Sequence, residues 1–158
     1  FKEALNRGFK IGIMCTYNVL CVATYQNFLK RVMHWRKEIG SQGLHQIQFD
    51  VPYLKEPPHW MLNILPRDFL MPHMNDTLQF IADNKDWFTD VEYEKFKRVR
   101  DYADQNPVDK EKIHQGRRDF YSFFKENDKR LGTDLLKTFP MYEEFYNQCK
   151  EVHDNYDK

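Results

Sequence analysis

The sequence predicts an α/β fold with parallel strands, followed by an all-helical C-terminal extension. Three observations carry that expectation. Apolar residues alternate at period two in short runs near residues 9–16, 46–51 and 60–65. Between and after those runs the apolar spacing becomes helical. Strands that alternate with helices of about 12–17 residues favour a layered arrangement around a parallel sheet. The α/β segment is expected over residues 1–85 and the helical extension over residues 86–158, with no internal repeat or low-complexity linker.

In the first run, Phe9, Ile11, Ile13 and Cys15 alternate with Lys10, Gly12, Met14 and Thr16. From Thr24 to Ile39 the period lengthens. Tyr25, Phe28, Leu29, Val32, Trp35 and Ile39 follow helical spacing, with Lys30, Arg31, Arg36 and Lys37 elsewhere around the wheel. Thr24 suits an N-cap, and Gly40 stands where a left-handed C-terminal cap is wanted. In the second run Ile47, Phe49 and Val51 alternate with Gln46, Gln48 and Asp50 until Pro52. Tyr53–His59 contains Pro57 and Pro58 and reads as an extended loop. Trp60, Leu62 and Ile64 then alternate with Met61, Asn63 and Leu65, a third strand apolar on both faces that Pro66 closes. Asp68 to about Asn84 forms a helix on Phe69, Leu70, Met74, Leu78 and Ile81, with Pro72 tolerable only near its first turn.

Beyond residue 84 the pattern is purely helical. Thr89-Asp90-Val91-Glu92 is a capping box, and Phe96, Val99 and Ala103 mark the inner face up to Asn106-Pro107. Asp109 caps a longer helix through Ile113, Phe120, Phe123 and Phe124 to Gly132. Gly116 either weakens that helix by about 1 kcal/mol relative to Ala or marks a close contact. Thr138-Phe139-Pro140 starts a last helix bearing Met141, Phe145, Cys149 and Val152.

Composition narrows the function classes. Hydrophobic residues are 41% of the 158, enough for one domain with a core and too many for disorder. Lys+Arg and Asp+Glu are 24 each, which argues against a nucleic-acid or anionic-membrane partner. Residues 1–40 nevertheless hold seven Lys/Arg against two Glu, a face suited to an acidic neighbour. No run of about 18 apolar residues spans a membrane. The opening FKEALNRGFK lacks a secretory signal's apolar core. A start at Phe1 reads as a fragment, a processed product or part of something longer. Cys15, Cys21 and Cys149 leave an odd thiol under full pairing, so free thiols in a reducing cytoplasm are expected.

Chemical motifs are sparse. No two of the six histidines sit at i, i+3 or i+4, and Cys15 and Cys21 have no second pair to complete a zinc set, so no metal site is expected in this chain. Neither a phosphate-binding glycine loop nor a G-x-S-x-G elbow occurs. One candidate is Thr16-Tyr17-Asn18, where the first strand ends, because ligands of parallel α/β folds gather at strand carboxyl ends. Asn18 could read a ligand edge or simply shape the turn. A second constellation, Arg117, Tyr121 and Asp128, shares one helix face and could pin the extension to the α/β body or hold an anion. Trp60 could face a partner or pack as core.

Several phrases together resemble radical S-adenosylmethionine enzymes. KIGIMCTYN with VATYQNFLKRV resembles a later strand–helix unit of that family, and FDVPYLKEPPHWMLNILP a strand, Pro-rich loop and strand ending in Leu-Pro. RRDFYSFFKENDKRLGTDLLKTFPMYEEFYNQCK is similar to the C-terminal helices of members carrying a twitch (short auxiliary-cluster) domain. Its D-x-R-x-G-T is Asp128 to Thr133, and Met141 departs from the acidic residue expected after Phe139-Pro140. The resemblance implies a partial (β/α) barrel segment forming the C-terminal half of such an enzyme. Its N-terminal half, or a partner subunit, would supply the C-x-x-x-C-x-x-C loop that binds a [4Fe–4S] cluster, absent here. On that basis Thr16, Asn18 and Asn63 would border S-adenosylmethionine or substrate, and the chain alone would not be catalytic. The alternative is a non-catalytic α/β-helical module docking on a larger assembly.

Overall fold

A computed structural model describes residues 2–105 and 108–156. In chain order it contains α1 (Lys2–Asn6), β1 (Ile11–Met14), α2 (Tyr25–Ile39), α3 (Gly43–Gln46) and β2 (Ile47–Asp50). Then come α4 (Arg67–Asp83), α5 (Asp90–Gln105), α6 (Lys110–Leu131), α7 (Leu135–Thr138) and α8 (Glu143–Tyr156). Short 3-10 turns occupy Gly40–Gln42, Pro58–Trp60, Leu62–Ile64 and Pro140–Tyr142. The described chain is mostly helical, with one two-stranded parallel sheet. The expected helix end at Asn106-Pro107 lies outside the described residues.

β1 and β2 pair in parallel, Ile11 opposite Ile47 and Met14 opposite Asp50. The ladder runs on past both strands: Cys15 N–H donates to the Asp50 carbonyl at 3.0 Å and Tyr17 N–H to that of Pro52. The alternation sorts the faces as the pleat requires. Ile11, Ile13, Ile47 and Phe49 turn to the helices, while Gly12, Met14 and Gln48 are exposed on the other side.

The third expected strand does not form. Residues 60–65 instead belong to two 3-10 turns joined by extended Met61, with i to i−3 bonds such as Met61 N–H to Pro58 O and Leu65 N–H to Leu62 O. A short run apolar on both faces does not by period distinguish a strand from any other fully buried segment. Pro58 begins the first turn and Pro66 precedes α4, so the segment is compressed between prolines. It buries Met61, Leu62, Ile64 and Leu65 against the rest of the core. Pro72 is the sixth residue of α4, deeper than its first turn. It leaves the Asp68 carbonyl without its usual helical donor.

On α2 the buried residues are Tyr25, Leu29, Val32 and Arg36. Arg36 is therefore a core residue, not part of the solvent side of the wheel. Its Nε and one terminal nitrogen donate to the Ile47 carbonyl at 3.0 and 2.6 Å, and the other terminal nitrogen to the Trp87 carbonyl. Both terminal nitrogens meet the Glu92 carboxylate, at 2.5 and 3.0 Å. The guanidinium also lies 5.6 and 5.5 Å from the Phe49 and Phe88 ring centroids. Glu92 closes the predicted capping box as well, accepting from Thr89 N–H while its own N–H donates to the Thr89 hydroxyl. One ion pair thus ties α2, β2 and the start of α5, across the boundary expected at residue 85.

α6 starts from Asp109, whose side chain accepts from Glu111 N–H, and ends at Gly132 in the left-handed conformation, φ 64°. A Cβ at Gly116 would lie 2.6 Å from Ile64 Cγ2 and 2.9 Å from the Pro58 carbonyl oxygen, so the close-contact reading of this glycine holds. Phe120 of α6 packs on Phe145 of α8.

Breaking one partner of a buried ion pair costs about 3–5 kcal/mol, because the other charge is left uncompensated. Glu92→Gln should accordingly lower the unfolding free energy by about that amount in a urea titration. Gly116→Ala should also destabilise, by about 1–3 kcal/mol, because the contacted carbonyl cannot swing aside as a side chain would.

Candidate functional site

The carboxyl ends of β1 and β2 gather the chemistry-bearing side chains of the N-terminal half. Thr16 is exposed one residue beyond Cys15. Asn18 spends its amide on its own turn: Oδ1 accepts from Leu20 N–H at 3.0 Å and Nδ2 donates to the Thr16 carbonyl. That is the turn-shaping role open to Asn, and it fixes the path from β1 into α2. The Cys21 thiol closes on the same carbonyl at 3.6 Å. Thr24 stands at the N-cap of α2, but its hydroxyl donates back to the Cys21 carbonyl instead of capping.

Under this turn lies an aromatic nest. Tyr17 meets Tyr25 edge-on at 4.8 Å and Phe96 at 5.4 Å, while Tyr25 stacks on Phe96. The Tyr17 and Tyr25 hydroxyls are buried without a hydrogen-bond partner. Burial drives both phenols well above their ordinary pKa. Burial likewise pushes the Cys15 thiol up to about 11, with the nearby Cys21 adding to the effect. Cys21 shifts in the same direction, chiefly by burial. All three cysteines are free.

On the open side of β2, Asp50 accepts from Val51 N–H and pairs with Lys95 of α5 at 3.2 Å. These hold its carboxyl below the usual range, the Val51 bond first and Lys95 next. Beyond the strand, Lys55 sits over the Tyr53 and Tyr102 rings at 5.4 and 4.9 Å.

Asn63 belongs to a different neighbourhood. Its Nδ2 donates to the Ala103 carbonyl near the end of α5, leaving a buried Oδ1 with no partner. It lines a cleft of about 300 Å³ with Leu65, Leu70, Met71 and Ile113. Thr16 and Asn18 thus join one turn, whereas Asn63 caps a helix.

The Arg117, Tyr121 and Asp128 set also separates. Arg117 Nε donates to the Ile64 carbonyl at 2.7 Å, pinning α6 to the 3-10 segment through backbone. Asp128 instead accepts from the Thr133 hydroxyl and Leu135 N–H, so the D-x-R-x-G-T residues build the α6–α7 turn. Tyr121 packs on Tyr146 and His153. Trp60 is half-buried against Phe123 and Phe124. His59 stacks on Phe123, and burial lowers its pKa against an opposing pull from Asp119.

Among the described residues, no group of three or more His, Cys, Asp or Glu side chains is placed to hold a metal ion. Among the same residues, no helix is long and apolar enough to cross a membrane. No family model, curated protein or solved structure matches the chain.

The missed feature here is Arg36 with Glu92. Its signal was in the spacing, since Arg36 follows Tyr25, Leu29 and Val32 at steps of four, three and four.

The thiolate is the nucleophile in alkylation, so a raised pKa slows it. Cys15 should react with iodoacetamide at pH 7 at least ~100-fold more slowly than free cysteine, judged from the ordinary thiol pKa. Its rate should climb steeply as the pH approaches 11, read by peptide mass spectrometry at each pH.

Proposed function

We propose that this chain is the C-terminal part of a radical S-adenosylmethionine enzyme, contributing late barrel strands and a helical tail and not catalytic alone. One observation carries the reading: β1, α2 and β2 form a parallel strand–helix–strand unit whose helices cover only one sheet face. Parallel sheets are normally covered on both faces. A unit bare on one side has the form of a wall segment whose inner face awaits the other strands of a barrel. The bare face presents Gly12, Met14 and Gln48, with Thr16 beyond β1. In this reading Thr16 and the Asn18 turn border the cofactor or substrate, and Asn63, which the same reading also places there, is held by the Ala103 carbonyl of α5. The third wall piece is coiled into 3-10 turns, so the proposal rests on two strands.

The proposal carries a reducing, cytoplasmic setting with it, in keeping with three free thiols. The [4Fe–4S] cluster and S-adenosylmethionine belong to the complementary half, whose cysteines would bind the cluster.

The test is the complete reading frame and its product. A cysteine triad upstream, with iron, sulfide and S-adenosylmethionine bound by the anaerobically purified protein, is the expected outcome. A start codon immediately before Phe1, or a full-length product that binds neither iron nor S-adenosylmethionine, would overturn it.

A further inference from the structure

The two edges of the sheet are finished differently. In this register β2 turns the N–H and C=O of Ile47, Phe49 and Val51 away from β1. Arg36 donates twice to the Ile47 carbonyl, and Asp50 Oδ1 accepts from Val51 N–H. Side chains therefore take the Ile47 carbonyl and the Val51 N–H of that edge, with the buried Phe49 between them. α5 packs beside it.

β1 is the reverse. Its Cys15 and Tyr17 N–H groups bond to β2, so Ile11 and Ile13 also face inward and Gly12 and Met14 face outward. Among the described residues, no hydrogen bond reaches the outer N–H or C=O of Gly12 or Met14. A Cβ at Gly12 would meet nothing within 4 Å. Met14 is 75% exposed and Phe9, just before the strand, 59%. Within Ile11-Gly12-Ile13-Met14 there is no charge, proline or bulge, and the edge is guarded only by its four-residue length and by Lys10 just before it. The open ladder ends at Thr16, whose carbonyl is taken by Asn18 and Cys21.

We infer that the outer edge of β1 is a strand-addition site, filled by an extended polypeptide segment running parallel to β1. The segment bonds to Gly12 and Met14 through its backbone and alternates apolar side chains that finish covering the half-buried Ile11 and Ile13. Parallel direction follows from the existing pair and from α2, which covers one face as in a strand–helix–strand series. Successive strands of such a series are laid side by side, so the neighbour on β1's outer side would precede β1 in sequence. Only that origin rests on the enzyme reading; the edge itself does not.

The test uses the chain with a synthetic peptide copying residues 45–51, the sequence that already pairs in parallel with β1. Amide exchange is followed by NMR. The peptide should slow exchange at Gly12 and Met14 saturably, by about tenfold or more, with little change at Ile13 and Cys15, whose amides are already bonded. Met14→Pro removes an outward N–H and should abolish the effect; if that variant unfolds, a peptide carrying Phe49→Pro, which lacks the N–H facing the Gly12 carbonyl, should fail in its place. No slowing at saturating peptide, or equal slowing by the Pro-bearing peptide, overturns the inference. Slowing without peptide that follows protein concentration and a dimeric mass also overturns it, because the edge then serves a second copy. Strand addition in a protein whose full-length form binds no cluster would sink the enzyme reading and leave the edge standing; a loaded cluster with unprotected Gly12 and Met14 would do the opposite.

Discussion

The fold turns on the buried ion pair of Arg36 and Glu92. Arginine is suited to the place because its guanidinium is a rigid planar fork that stays charged in a buried setting. Here that fork reaches two backbone carbonyls and both oxygens of one carboxylate. A buried charge is tolerable only when its donors are satisfied. Phe49 and Phe88 fill the space around it, so packing and charge recognition occur at one point. Glu92 is anchored from the other side by the Thr89 capping box. The start of α5 and the end of α2 are consequently fixed relative to each other and to β2.

A second anchor holds α6 to the 3-10 segment. Gly116 lets α6 approach Pro58 and Ile64 closely, and the next residue, Arg117, bonds the Ile64 carbonyl. That contact explains why residues 58–64 take 3-10 turns. A carbonyl given to Arg117 and backbone lying against a glycine notch serve α6 better than a sheet. Tyr142, between α7 and α8, extends the connection by donating to the Val19 carbonyl at 2.8 Å and accepting from Ala23 N–H. Residues more than a hundred positions apart thereby hold the turn that leaves β1.

What the sequence disclosed follows from how local each signal is. The β1 and β2 alternation, the Thr89–Glu92 box, Asp109 and Gly132 depend on neighbours within a few residues, and they are where the spacing predicted them. The Trp60–Leu65 run failed because its conformation is decided by Gly116 and Arg117, more than fifty residues away. Charge alone points Arg36 to the solvent side, whereas its spacing with Tyr25, Leu29 and Val32 puts it inside. At the candidate site the Asn18 turn was legible, since Asn bonds its own backbone locally. The Asn63 bond to Ala103 was not, because it joins two distant segments.

The uncovered edge of β1 gains meaning from how firmly the rest of the strand is held. An isolated parallel pair exposing a face is marginal by itself, because two strands bury too little surface. Here Tyr17 continues the ladder while its ring is locked against Tyr25 and Phe96. Asn18 and Cys21 fix the exit, and Arg36 closes the far edge through Ile47. Those contacts lie at the carboxyl end and on the β2 side of β1. The outer backbone groups of Gly12 and Met14 are therefore held in extended geometry before anything pairs with them. A segment adding there orders mainly itself, which lowers the entropic cost of association. The same rigidity sets a demand: a partner must match a two-residue ladder that stops at Thr16, so register is fixed by the turn and not by the partner's length.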